Sequence, residues 1–110
     1  MFMNFIKLQA MAEKRKEVEQ TLTSLASLIQ SEPGCLASNL YQRVGDETVF
    51  LLISAWQTRE ALDDHLQSSR LSVLVGARCL LSQSPEMAIH TVAPSTGLKA
   101  LNPEQLQAVR

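Results

Sequence analysis

The chain has 110 residues, 45% of them hydrophobic and 19% charged, with a formal net charge of −1. That describes one folded domain, too apolar for a disordered chain and too near neutrality to present a basic footprint to nucleic acid. No apolar run approaches the ~20 residues of a membrane span. The opening MFMNFIKLQAM, broken by Asn4, Lys7 and Gln9, lacks the layout of a cleavable signal, so a cytoplasmic protein with no membrane partner is expected.

Residues 1 to about 9 alternate loosely, with Phe2, Ile6 and Leu8 on one side and Met3 and Phe5 on the other. Both sides are apolar, as in a strand covered on both faces. Asn4 shares the side of Ile6 and Leu8, where an amide without partners costs roughly 1–3 kcal/mol. From Ala12 to Gln30, Val18, Leu22, Leu25 and Ile29 form one helical stripe. Lys14, Arg15 and Lys16 are interleaved with glutamates at 13, 17 and 19 and read as a solvated face. Ser31-Glu32-Pro33-Gly34 ends the helix, because Pro33 cannot continue the ladder and Gly34 permits a sharp turn.

Residues 36–43 alternate only in part and read as an exposed edge strand. Val44-Gly45-Asp46-Glu47 suits a hairpin connection. The returning strand carries Val49-Phe50-Leu51-Leu52-Ile53, apolar at every position and therefore expected to be covered above and below. Thr58 is placed to cap a helix containing Leu62, His65 and Leu66. Ser69 is placed to cap a second segment from Arg70 to about Leu81, with Leu71, Leu74, Val75 and Leu81 on its apolar face. A last strand spans about residues 85–92. Cys35 and Cys79 are isolated, without CxxC spacing, and are expected to be reduced.

The order βαββαβ predicts an α+β, ferredoxin-like domain over residues 1–92: a four-stranded antiparallel sheet with its helices on one face and the first and third strands central. The other face would leave an apolar sheet uncovered, which predicts a homodimer packed sheet against sheet as an α+β barrel. Residues 93–110 form a tail whose Leu98, Leu101 and Leu106 suggest docking on the domain or on the partner subunit, with a short helix from Pro103.

Three stretches together carry a family resemblance: Glu32-Pro33-Gly34-Cys35-Leu36; Phe50-Leu51-Leu52 leading into Trp56; and Arg59-Glu60-Ala61-Leu62-Asp63-Asp64-His65-Leu66. Over about residues 3–92 the chain resembles the antibiotic biosynthesis monooxygenase family. The resemblance implies a dimeric α+β barrel and a range of activities. These include cofactor-independent oxygenation of phenolic or quinol-type aromatics, haem degradation and isomerisation of a small signalling sugar derivative. The haem-degrading members use an Asn on the first strand, a Trp on the helix after the third strand and an iron-ligating His about ten residues later. Asn4 matches the first, but the Trp position falls on His65 and the His position near Val75, so the iron ligand is missing. Other members carry Ser-Pro-His after the helix His-Leu pair, where this chain has Ser68-Ser69-Arg70.

A flavin or nicotinamide site calls for a glycine-rich phosphate turn, and the four glycines here are isolated. A metal site needs three convergent ligands, against only His65 and His90. The chemistry left is the substrate's own: a deprotonated electron-rich hydroxyaromatic passes an electron to O₂ directly, without cofactor or metal. Such a site needs a proton acceptor, donors for a developing oxyanion and an apolar pocket. His65 is the expected catalytic base. Asn4, as a second catalytic residue, or the indole of Trp56 supplies donors. Ile6, Leu8, Leu62, Leu66, Leu71 and Leu74 complete the pocket between helices and sheet. Two classes of function remain open at this point: a monooxygenase of small aromatics, and a non-catalytic small-molecule-binding dimer or isomerase on the same fold.

Overall fold

The computed structural model describes residues 1–93 together with Asn102 and Pro103. The docking expected of Leu98, Leu101 and Leu106 and the short helix after Pro103 lie outside the described residues. Four strands, β1 (Phe2–Gln9), β2 (Cys35–Gln42), β3 (Val49–Trp56) and β4 (Glu86–Thr91), make one sheet in the order β2-β3-β1-β4, antiparallel at every pairing. The two strands that read as apolar on both sides are the central pair, and the partly alternating strand β2 is an edge. Three helices connect them: α1 (Arg15–Gln30), α2 (Arg59–Leu66) and α3 (Ser72–Ala77).

Helix α1 buries Val18, Leu22, Leu25, Ala26 and Ile29, the anticipated stripe with one small residue added. Its start has no side-chain cap and is wound instead as a 3₁₀ turn over Ala12–Lys14. Its end is tied by Ser31, whose N–H and hydroxyl both donate to the Leu28 carbonyl. Gly34 then takes φ +79°, a conformation that a residue with a Cβ adopts only at a cost. Thr58 caps α2 as expected, its Oγ1 accepting from the Ala61 N–H at 3.1 Å.

The segment after α2 differs from the expectation. Ser69 does not cap with its side chain. It gives its backbone carbonyl to Ser72 N–H, and α3 begins at Ser72 without a side-chain cap. The helix holds six residues before tightening into a 3₁₀ turn over Arg78–Leu80. Val73, Val75 and Gly76 are weak helix formers in a segment already too short to be stable alone. Leu74 is buried, while Val75, 63% exposed, stays on the same face as Leu71 and Leu74 and lines an open cavity with them.

The register sorts the strands into two layers of side chains. Facing the helices are Phe2, Asn4, Ile6 and Leu8 of β1 and Phe50, Leu52, Ser54 and Trp56 of β3. Ser38 and Leu40 of β2 join them from one edge, and Met87 and Ile89 of β4 from the other. Ile6, Leu8, Phe50, Leu52 and Trp56 form the core with the α1 stripe, Leu62 of α2 and Leu74 of α3. The opposite face presents Met3, Phe5, Leu51, Ile53 and Ala55, with Ala37 and Tyr41 on one side and Ala88 and His90 on the other. Among the described residues no helix packs on that face, and Leu51 and Ile53 are only half-buried.

Candidate active site

At its buried positions the helix-facing layer is apolar except along one row. Ser38 of β2 sits opposite Ser54 of β3, which sits opposite Asn4 of β1, which in turn sits opposite Ile89 of β4. The three polar residues are 8%, 2% and 1% exposed. Protein interiors rarely leave such groups unpaired, yet here the Ser38 hydroxyl and both the oxygen and nitrogen of the Asn4 amide have no hydrogen-bond partner. Only Ser54 is engaged, its Oγ accepting from the Trp56 indole N–H at 2.9 Å. The indole is therefore already committed to its own strand, and Asn4 is the open donor of the two expected.

One row along the sheet, where Trp56 faces Phe2, helix α2 delivers His65. The imidazole lies on the indole with ring centroids 4.6 Å apart and planes inclined by 23°. Its side chain is fully buried, and Nδ1 is 2.9 Å from Oε2 of Glu32, itself 9% exposed. An ionised carboxylate accepts and does not donate, so the contact suits a proton on Nδ1. The other ring nitrogen, Nε2, is buried and has no partner. Arg70 closes the arrangement from the far side. Its Nη1 donates to the Leu28 carbonyl at 3.0 Å and lies 4.0 Å from the same Glu32 oxygen. Arg70 is thus part of the polar assembly and not a freely solvated side chain.

Glu32 reaches His65 because of the turn it belongs to. Gly34 is packed so tightly on α2 that a Cβ added there would stand 2.5 Å from that of Ala61. Its carbonyl accepts from Gln57 N–H at 2.9 Å. Burial pushes the neighbouring Cys35 thiol above its usual range, outweighing its contact with the Ala37 carbonyl, and the nearby Glu32 charge adds to the rise. Such a thiol is poorly suited to act as a nucleophile. Cys79 is the other free cysteine.

On the other side of Asn4, one row toward Ile6, a cavity of about 310 Å³ opens between α3 and the β1–β4 edge. Ile6, Leu71 and Leu74 line it, with Met87 and Pro85 from the β4 side and Arg78 at the rim. The anticipated pocket residues are therefore divided. Leu66 faces a shallower depression beside Leu71. Leu8, Leu62 and Trp56 are 1%, 0% and 0% exposed and belong to the packed core. The rows run in the order cavity, Asn4, then Trp56 with His65 stacked on it, at about 7 Å per row on one face of a strand. Glu32 and Ser54 were not anticipated. Ser54 was detectable, since it has the same parity as Trp56 in an otherwise apolar strand. Glu32 lies 33 residues from His65, and no spacing in the sequence links them. Among the described residues no group of three or more His, Cys, Asp or Glu is placed to hold a metal ion.

Residues 1–75 match the family model described as antibiotic biosynthesis monooxygenase. The chain belongs to that family. Solved structures agree on the fold. A Deinococcus radiodurans protein named for the same family aligns over 91% of this chain and 100% of its own, with TM-score 0.83 and 19% identity. An antibiotic biosynthesis monooxygenase structure aligns over 86% and 100%, with TM-score 0.76 and 24% identity. A Mycobacterium tuberculosis protein aligns over 87% and 98%, with TM-score 0.78 and 18% identity. No curated protein matches the chain. As a family member the chain is of a general monooxygenase type, and no helix among its described residues is long and apolar enough to cross a membrane.

Proposed function

We propose that the protein is a cofactor-independent monooxygenase of small, electron-rich hydroxyaromatics of the quinol or polyphenol type, acting as a homodimer in the cytoplasm. The observation that carries this reading is the pair of unpartnered groups in the helix–sheet interior: Nε2 of His65 and the amide of Asn4. One can accept a proton. The other can donate to an oxygen on which negative charge develops. The substrate enters by the cavity lined by Ile6, Leu71 and Leu74, and its binding lengthens that cavity by two rows, past Asn4 to His65. His65 takes the phenolic proton, and the resulting phenolate passes an electron to O₂. Radical recombination forms a carbon–oxygen bond on the ring, and cleavage of the O–O bond releases the second oxygen as water. A quinol so treated becomes a hydroxyquinone: the ring gains one oxygen and loses two hydrogens, and all reducing equivalents come from the substrate. No flavin, haem or metal is called for.

The dimer in this reading rests on the uncovered face of the sheet. Met3, Phe5, Leu51, Ile53 and Tyr41 make a mainly apolar surface, interrupted by Lys7 and Asn39, of the kind that a second copy covers by two-fold packing. A cytoplasmic setting is consistent with two cysteines left as free thiols. The test is O₂ uptake with a panel of quinols and polyphenols, comparing wild type with His65→Gln and Asn4→Leu. Uptake that falls at least tenfold in His65→Gln, with the fold retained, supports the assignment. Wild-type protein inert toward every compound of the panel contradicts it.

A further inference from the structure

The positions of Glu32, His65 and Arg70 carry a more specific consequence, which rests on the role just given to His65. Two cationic or donor groups, His65 Nδ1 at 2.9 Å and Arg70 Nη1 at 4.0 Å, converge on one oxygen of a carboxylate that is almost wholly buried. Glu32 lies in the turn after α1, His65 in the last turn of α2, and Arg70 beyond the end of α2. Three separate segments thus meet at a single acceptor. A salt-bridging staple would satisfy itself with any geometry. Here the carboxylate selects one nitrogen of the ring and leaves the other bare in the interior, one row from the unpartnered Asn4 amide.

We propose that Glu32 is the positioning residue of this site. It locks His65 in the Nδ1–H tautomer, so that Nε2 is the proton acceptor, and Arg70 holds Glu32 in place by bridging it to the end of α1. An imidazole in water prefers the other tautomer only slightly. A buried carboxylate at hydrogen-bond distance from Nδ1 decides the choice, because among the described residues its close donors are His65 and Arg70. The stack on Trp56 fixes the remaining freedom, the rotation of the ring, and leaves Nε2 aimed by two independent contacts. Partners that orient metal-ligating histidines contribute about 10- to 100-fold to activity, and an effect of that order is expected here.

Long-range ¹H–¹⁵N correlation spectra of ¹⁵N-histidine-labelled protein read the tautomer directly, with no need of a substrate. His65 is assigned by its loss in His65→Gln. In wild type the proton is expected on Nδ1; finding it on Nε2 overturns the proposal without recourse to any variant. Glu32→Leu removes the acceptor at nearly constant shape, and the proton is then expected on Nε2. If it stays on Nδ1, Glu32 does not set it and the proposal fails. Glu32→Gln, whose amide can both accept and donate, serves should the leucine variant not fold; it is expected to show a measurable Nε2–H fraction, and an unchanged spectrum overturns the proposal. With an active substrate, Glu32→Leu is expected to lower kcat about 10- to 100-fold with KM little changed, and Glu32→Asp to recover part of it. A purely structural contact would move thermal stability and leave the tautomer alone. If His65→Gln is fully active, the catalytic reading of His65 falls while the tautomer result still stands or fails on its own.

Discussion

Asn4 is the residue at which stability and function pull apart. Its amide is 1% exposed with neither end paired, a condition that costs roughly 1–3 kcal/mol relative to an apolar group of the same shape. Asn4→Leu is therefore expected to raise stability by about that amount in chemical denaturation while abolishing or sharply reducing turnover. A leucine variant that is less stable than wild type would mean that the amide is satisfied and is not held for chemistry. The sequence already placed Asn4 on the buried side of its strand, because alternation is a property of the backbone and needs no tertiary knowledge. It also singled out His65. It could not show that His65 is paired with Glu32, since only the folded turn brings those two together. Nor could it show that the Trp56 N–H is taken by Ser54, because a side chain's donor is claimed by whichever neighbour the rotamers bring within reach.

At the scale of elements, the two turns with positive φ among the described residues make a controlled comparison. Gly45, at φ +92°, has open space around it, with nothing within 4 Å of where a Cβ would stand, so Gly45→Ala is expected to cost only the left-handed strain of about 1–2 kcal/mol. Gly34→Ala carries the same strain and also drives a methyl into Ala61 at 2.5 Å, adding about 1–3 kcal/mol of overpacking. It should be the more destabilising of the two in urea titrations, and it should pull Glu32 away from His65. Equal costs would show that the turn can retreat from α2 and that Glu32 is not held by it. In the same hairpin as Gly45, Asp46 accepts from the Thr48 hydroxyl at 2.6 Å and from its backbone N–H at 3.1 Å. These bonds hold its carboxyl below the usual carboxylate range. A group whose value is depressed by folding contributes stability above its ordinary range and loses that contribution as pH falls through the folded value. Asp46→Asn should therefore weaken the dependence of stability on pH between about pH 5 and pH 2. An unchanged acid limb would show that the Thr48 bonds are not maintained in solution. The elements themselves were legible from apolar spacing and from Pro33, Gly34 and Thr58. Helix α3 was legible as a segment from Arg70 to about Leu81 but not in its start or length, because six residues with two valines and a glycine owe their helicity to packing over Leu74 more than to a local cap.

At the scale of the molecule, the proposed dimer covers the sheet face that carries Met3, Phe5, Leu51 and Ile53. Ile53→Glu places a charge at the centre of that surface and is expected to shift sedimentation velocity from dimer to monomer at micromolar concentration. A wild-type protein that sediments as a monomer would remove the reason for a two-sided apolar strand β3. The fold and the family were both readable from the order of elements and from the Glu32-Pro33-Gly34 and Ala61–Leu66 stretches. The cavity was readable only in part, because the same apolar pattern serves a packed core and a pocket wall, and only the structure separates Leu62 from Leu71.

The most direct test of the central claim is the fate of oxygen in metal-free, cofactor-free protein supplied with ¹⁸O₂ and an oxidisable quinol. The account predicts one ¹⁸O atom in the quinone product, one O₂ consumed per product, water and not peroxide as the second product, and loss of this activity in His65→Gln. Product without ¹⁸O, accompanied by stoichiometric hydrogen peroxide, would contradict it.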